Sequence, residues 1–174
     1  MIRLLYARGT ISHCEVEGAV AFTIDDGFCG EDNPGGCMLE EVRELLGRHD
    51  ARASFFVTGA HCSHTSDSDI EALLAEGHEL LNHNMMDRPY HRESAVEFKA
   101  DFQETERVLS RYRSDSPPWY RAPFGRMGRI MQGVLDEHGY AHVLCDCFAN
   151  DTAIPDPDWI ARFILRRVRP GSII

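Results

Sequence analysis

Two adjacent carboxylates, Asp25 and Asp26, close an apolar run in the stretch Thr23-Ile24-Asp25-Asp26-Gly27. Two carboxylates this close repel each other, so one of them holds a proton tightly or a cation joins them. Gly27 frees the backbone to turn, and both side chains could then point into one pocket. The pair is typical of a metal ligand beside a general base, although Asp and Gly also form ordinary turns.

A histidine and a carboxylate, His83 and Asp87, stand at positions i and i+4. On a helical turn residues with this spacing lie on one face, as in other two-ligand metal motifs. We therefore predict that Asp26, His83 and Asp87 hold a divalent metal ion and leave positions open for water. Two carboxylates and one imidazole suit zinc, and they also tolerate manganese or cobalt. The alternative is a surface histidine followed by an aspartate that caps the turn before Pro89.

The segment Arg121-Ala122-Pro123-Phe124-Gly125 is rigid, because proline fixes one backbone dihedral and glycine permits close approach to a ligand. A guanidinium at this place can hold and orient the Asp25 carboxylate. The alternative for Arg121 is a surface ion pair, which would stabilise the protein by only about 0–1 kcal/mol.

Short apolar segments that alternate with helical patterns must position these residues. After the strand that ends at Asp25-Asp26, the predicted strands are 52–59, 79–83, 119–121 and 140–145, and the predicted helices are 38–48, 67–76, 91–112, 127–138 and 158–168. This alternation predicts a parallel α/β architecture. In a (β/α) barrel the carboxyl ends of the strands share one face, where active sites are built. The polar residues at those ends therefore predict one site, which would include Asp146 and Asp151 after the fifth strand.

The composition is that of one globular domain over residues 1–174, with 43% apolar and 26% charged residues. The formal net charge of −10 argues against a nucleic-acid partner, since such proteins carry basic patches. No apolar run approaches the roughly 20 residues that a membrane helix needs. The apolar part of residues 1–8 is too short for a secretory signal. We expect a cytoplasmic protein, or a secreted or cell-surface one if a leader precedes these residues.

The six cysteines leave the compartment open. Cys29 and Cys37 flank a turn-rich loop and could form a disulfide in a secreted protein. No C-x-x-C pair is present in the sequence, which weakens a structural zinc site built on thiolates.

The three motifs resemble those of the polysaccharide deacetylase family, also called the NodB-homology domain or carbohydrate esterase family four (CE4). The first family motif, T-[FI]-D-D-G, matches Thr23 to Gly27, and the third, R-x-P-[YF]-G, matches Arg121 to Gly125. The second, H-[ST]-x-x-[HD], matches His83 to Asp87, with Asn84 in place of serine or threonine and Asp87 in place of the commoner histidine.

The resemblance implies a deformed (β/α) barrel and a metal-dependent hydrolase that removes acetyl groups from N- or O-acetylated carbohydrate polymers. It implies that Asp25 is the general base, that Arg121 tethers it, and that the backbone N–H of Phe124 faces the oxyanion. The implied metal ligands are again Asp26, His83 and Asp87. The fourth family motif, an aspartate after a strand, is loosely met by Asp146 or Asp151.

The fifth family motif, L-x-H, would follow Ile174. We therefore expect residues 1–174 to lack the histidine that acts as general acid, together with the last strand and helix of the barrel. Two other functions fit the same residues: a non-catalytic carbohydrate-binding module that keeps the cleft, and a metal-dependent hydrolase of a small amide. The aromatic candidates for stacking on a sugar are Tyr90, Trp119, Tyr120 and Phe124.

Overall fold

The computed structural model describes residues 9–28, 37–112 and 116–174. Five parallel strands form one sheet in the order β1-β2-β3-β4-β5. The strands are β1 (Thr23–Asp25), β2 (Ser54–Val57), β3 (Glu79–Asn82), β4 (Trp119–Tyr120) and β5 (Ala141–His142). The helices are α1 (Leu39–Arg48), α2 (Gly59–His64), α3 (Asp67–Ala75), α4 (Ala95–Leu109), α5 (Arg129–Glu137) and α6 (Pro157–Leu165). The predicted parallel α/β architecture is confirmed.

Segments outside the regular strands close the sheet into a ring. Ile11 pairs with Val143 beside β5, and Ile173 pairs with Ala21 just before β1. The carbonyl of Ile173 also accepts a 3.2 Å hydrogen bond from the N–H of Cys147, so the segment lies between the two ends of the sheet. Residues 172–174 thus occupy the position of a closing strand, paired to their neighbours through isolated bridges. The result is a deformed (β/α) barrel.

Neighbouring residues of β2 and β3 pack on opposite sides of the sheet. Phe55 and Leu80 join the core that α1 and α3 cover from outside. Phe56 and Leu81 join a smaller core inside the ring, together with Ile173. Because both faces of these strands are covered, they appear in the sequence as continuous apolar runs. A third core lies under α4 and α5.

Two helices differ from the sequence-based prediction for clear local reasons. Helix α4 begins at Ala95 because Ser94 and Glu97 form a capping box, in which each side chain accepts the backbone N–H of the other. Helix α2 was not predicted, and the strand expected over 52–59 ends earlier, at Val57. The side chain of Thr58 accepts the N–H of His61 and starts α2 there.

Cys37 is disulfide-bonded. Its predicted partner Cys29, and the turn-rich loop over 30–36, lie outside the described residues, so the pairing stays a prediction. Cys14, Cys62, Cys145 and Cys147 are free thiols. Across the described ranges, no helix combines the length and apolar character that crossing a membrane requires.

Candidate metal and active site

The chain turns sharply where β1 ends. Asp26 has a φ of 53°, in the left-handed region that short polar side chains tolerate, and its N–H donates to the carbonyl of Phe56 at 3.0 Å. The expectation that Gly27 supplies the turn is therefore wrong, because the left-handed residue is Asp26. Gly27 is needed for space instead, since a Cβ there would lie 2.9 Å from Cδ1 of Phe55. The turn separates the two carboxylates into different surroundings.

Asp26, His83 and Asp87 come together at this end of the sheet. Each offers one ligand atom, and the three atoms lie within 4.8 Å of one another. Within the described ranges no other group of three such side chains is this close. The structure therefore brings together the three residues that the sequence proposed as metal ligands.

His83 is held in the tautomer that a metal ligand needs. Its Nδ1 lies 2.8 Å from the carbonyl oxygen of Arg121. Because a carbonyl can only accept, Nδ1 donates its proton there, and the lone pair of Nε2 remains available. Nε2 lies 3.6 Å from Oδ1 of Asp26. The ring is buried, so this orientation is fixed by its surroundings.

The loop from His83 to Asp87 is not the helical turn that its spacing predicted. After β3 the chain bends over residues 85–88. Asn84 has a φ of 67°, so the backbone reverses its course directly after His83. The prediction of a helical turn was wrong, although the two side chains still meet. We call residues 83–87 the ligand loop.

The charges in this group favour a bound cation. The pKa of Asp26 is raised, chiefly by its partial burial. His83 lowers this pKa, and the carboxylates of Asp87 and Asp25 raise it further. Two carboxylates and an imidazole lone pair face one another here, and a divalent cation would offset their mutual repulsion. The donor set thus fits a metal ion.

Arg121 donates hydrogen bonds to three groups from the interior of the barrel. Its Nη1 donates to Oδ1 of Asp25 at 2.6 Å and to Oγ1 of Thr23 at 2.8 Å, and its Nε donates to the carbonyl of Val143 at 3.2 Å. The guanidinium also stacks on the ring of Phe56, 4.0 Å from its centroid. The alternative of a surface ion pair is wrong, because Arg121 is only 3% exposed.

Phe124 lies in the 3₁₀ turn Pro123–Gly125 that follows Arg121. Its φ of 58° is again left-handed, and its side chain is 59% exposed. Of the other stacking candidates, Tyr90 and Tyr120 are fully buried core residues, and Trp119 is partly buried. Phe124 is therefore the one of the four that presents a largely exposed ring.

The two candidates for the fourth motif differ in their surroundings. Asp146 accepts the N–H of Ile173 at 3.0 Å and lies 3.2 Å from Nδ1 of His13, so it ties the closing segment to the barrel. Asp151 is exposed in a turn. Over the ranges that the structure describes, no hydrogen bond or ion pair joins Asp151 to Asp25 or to the candidate metal group of Asp26, His83 and Asp87.

Sequence reasoning missed His61, which α2 carries to the metal group. Its Nδ1 lies 3.3 Å from the carbonyl oxygen of Asp26. The sequence held only a weak signal, because α2 is a single short helix, Gly-Ala-His-Cys-Ser-His, without an apolar period. Thr58 in the position before it was the available hint of a helix start.

Comparison with known proteins identifies the family of this chain. The family model described as "Polysaccharide deacetylase" matches residues 13–143, which is more than half of the chain. The chain is 29% identical over 157 residues to a chitooligosaccharide deacetylase of Bradyrhizobium sp. (strain ANU 289), covering 90% of this chain and 68% of the relative. It is 25% identical over 160 residues to a peptidoglycan-N-acetylglucosamine deacetylase of Bacillus cereus, covering 91% and 71%.

Solved structures share the fold at low identity. A CE4 family pseudoenzyme from Bacillus anthracis superposes with a TM-score of 0.81 at 20% identity, covering 97% of this chain and 58% of that one. A family 4 carbohydrate esterase from Streptomyces lividans, in complex with acetate, gives a TM-score of 0.79 at 20% identity, covering 91% and 78%. This chain thus spans less than two thirds of the Bacillus anthracis protein.

This protein is a (β/α) barrel that carries a cluster of charged side chains at the carboxyl ends of its strands. Within that class, the chain belongs to the polysaccharide deacetylase family. The relatives are named as deacetylases, which are hydrolases of C–N bonds other than peptide bonds.

Proposed function

We propose that this chain is the catalytic barrel of a zinc-dependent deacetylase acting on carbohydrate polymers that carry N-acetyl groups. The observation that carries the proposal is the meeting of two units at one end of the sheet. One is the metal group of Asp26, His83 and Asp87, and the other is the pair of Asp25 and Arg121. The named substrates of the relatives, chitooligosaccharide and peptidoglycan N-acetylglucosamine, support an N-acetylated sugar.

Asp26, His83 and Asp87 would hold the zinc ion. When bound there, zinc would polarise the acetyl carbonyl and lower the pKa of a water molecule. The fixed tautomer of His83 supports this role, because its Nδ1 donates to the Arg121 carbonyl and Nε2 is left with a lone pair. Manganese and cobalt accept the same ligands and are the alternatives to test.

Asp25 would take the proton of the attacking water. Its Oδ1 is fixed by the 2.6 Å hydrogen bond from Arg121, and its side chain remains 41% exposed, so it is both oriented and open to water. The backbone N–H of Phe124 would donate to the acetyl oxygen as negative charge develops on it. Among the backbone hydrogen bonds of the described ranges, none has this N–H as its donor.

Acetate release from N-acetylglucosamine oligomers tests the proposal. We expect turnover to disappear after chelation and to return with zinc more fully than with manganese or cobalt. Turnover that survives complete chelation would contradict metal dependence. A protein that binds both zinc and oligomers but releases no acetate would be a binding module.

A further inference from the structure

A half-buried chain of polar side chains connects helix α4 with the ligand loop. Oε1 of Glu106, on α4, accepts a 2.7 Å hydrogen bond from Nδ2 of Asn82, the last residue of β3. The hydroxyl of Tyr140 donates to Oε2 of the same carboxylate. Oδ1 of Asn82 in turn accepts the N–H of Asn84 at 2.7 Å. A chain of three side chains, from α4, from β3 and from the residue before β5, thus ends on one backbone amide of the ligand loop.

Glu106 decides which way the amide of Asn82 faces. A carboxylate only accepts hydrogen bonds, so Nδ2 must point toward Glu106 and Oδ1 toward the N–H of Asn84. The carbonyl of Phe102 accepts from the same Nδ2 at 3.3 Å and favours the same orientation. A flipped amide would place two acceptors against each other in a fully buried position, which is costly.

The backbone N–H of Asn84 lies where the chain reverses between His83 and Asp87. Asn84 is the residue whose φ of 67° reverses the chain between His83 and Asp87. Asparagine tolerates this conformation but does not require it, so its surroundings must help to fix it. A hydrogen bond on its N–H therefore bears directly on how far apart the two side chains stand.

The same helix also holds the far side of the ligand loop. The hydroxyl of Tyr90 accepts the N–H of Met86 at 3.2 Å and donates to Oδ2 of Asp101, on α4, at 3.0 Å. Asp101 and Glu106 are separated by little more than one helical turn, so a single rigid element supports both sides of the loop.

We propose that Glu106 is a positioning residue for the metal group. It orients the Asn82 amide, which holds Asn84 in its left-handed conformation and so sets the distance between His83 and Asp87. Tyr140 supplies the second donor that fixes the Glu106 carboxylate. This inference rests on the proposed function, because Glu106 would support the site that holds the zinc ion.

The test compares three variants in zinc affinity, measured by competition with a chromophoric chelator. Glu106→Gln has nearly the same size but one acceptor fewer, and we expect it to weaken zinc binding about 10–100-fold. Tyr140→Phe leaves the bond to Asn82 intact, so its loss should be smaller, roughly 2–5-fold. The control is Glu104→Gln, on the same helix, whose exposed carboxylate pairs with Arg107. It should bind zinc like the parent.

Hydrogen exchange at the Asn84 amide of the metal-free protein provides an independent readout. We expect Glu106→Gln to speed this exchange at least about tenfold more than it speeds exchange at amides of β2. If the variant loses only overall stability, while its zinc affinity and its relative exchange at Asn84 match the parent, the inference is wrong. If the parent itself fails to bind zinc, the proposed function fails, and the exchange data alone decide whether Glu106 positions the loop. Should Glu106→Gln not fold, Tyr140→Phe decides by the same two measurements.

Discussion

Nη1 of Arg121 donates a 2.6 Å hydrogen bond to Oδ1 of Asp25, joining the third sequence motif to the first across the interior of the barrel. Replacing Arg121 by lysine keeps the charge but loses the planar group that also serves Thr23 and the carbonyl of Val143. We expect acetate release to fall roughly 100-fold, because Asp25 is then misplaced. The free energy of unfolding should fall by about 1–3 kcal/mol, because buried acceptors lose their donor. Arg126→Lys, on an exposed arginine nearby, is the control and should behave as the parent in both measurements.

Asp25 and its neighbour Asp26 should respond differently to the loss of charge. Asp25→Asn keeps the size of the side chain but cannot accept a proton, so turnover should drop about 10²–10⁴-fold. Its zinc affinity should stay close to that of the parent, because Asp25 is not in the metal group. Steady-state acetate release measures the turnover, and zinc titration of the same sample measures the affinity. An active Asp25→Asn protein would remove Asp25 from the role of base.

Phe124, three residues after Arg121, presents an exposed aromatic ring. If it stacks on a sugar, Phe124→Ala should raise KM for N-acetylglucosamine oligomers several-fold, by the roughly 0.5–1.5 kcal/mol of an aromatic contact, with kcat little changed. Stability should be nearly unaffected, since the ring is mostly outside the core. The variant is compared with Phe124→Leu, which keeps apolar bulk. An unchanged KM in both variants would show that Phe124 acts only through its backbone.

His142 makes the barrel sensitive to acid. It is 1% exposed, and burial, with further effects of Arg121 and His83, lowers its pKa from 6.5 to about 4. Between these two values the unfolded chain binds a proton that the folded chain does not, so stability falls as pH decreases. The loss at His142 should reach about 3 kcal/mol near pH 4, at about 1.4 kcal/mol for each pKa unit.

Urea unfolding at neutral and at acidic pH measures this slope. His142→Gln should flatten it, even if the variant is less stable at neutral pH, because the titrating group is gone. If His142→Gln and the parent lose stability equally on acidification, another group is responsible.

The sequence contained enough information for the architecture and for the identity of the clustered residues. The placement of Asp25, His83 and Arg121 at the ends of the first, third and fourth predicted strands predicted one shared face, because parallel strands bring their carboxyl ends together. The structure places these residues at such ends. The periodic helices were found with bounds that differ by a few residues, as at α4, where Ser94 determines the start.

Backbone conformation was the part that the sequence did not reveal. The i, i+4 spacing of His83 and Asp87 suggested a helical turn, but Asn84 is left-handed and the chain bends instead. Similarly, the turn after β1 occurs at Asp26 and not at Gly27. Asparagine and aspartate tolerate positive φ without requiring it, so residue type alone could not locate either reversal.

Long-range partners were equally hidden from sequence patterns. Glu106 lies among the charged residues of α4 that the helical period assigns to a solvated face, yet it accepts hydrogen bonds from Asn82 and Tyr140. Nothing local distinguishes it from Glu104, which remains exposed and pairs within its own helix. Only the packing of α4 against β3 separates their roles.

Zinc titration of the metal-free protein tests the central claim most directly. The parent should bind one zinc ion, and Asp25→Asn, one residue from the metal group, should bind it as tightly. Asp26→Ala should weaken binding by about 100-fold or more, because a ligand and its charge are lost from a set of three. If Asp26→Ala held zinc as tightly as the parent, the assignment of Asp26, His83 and Asp87 as the metal site would be wrong.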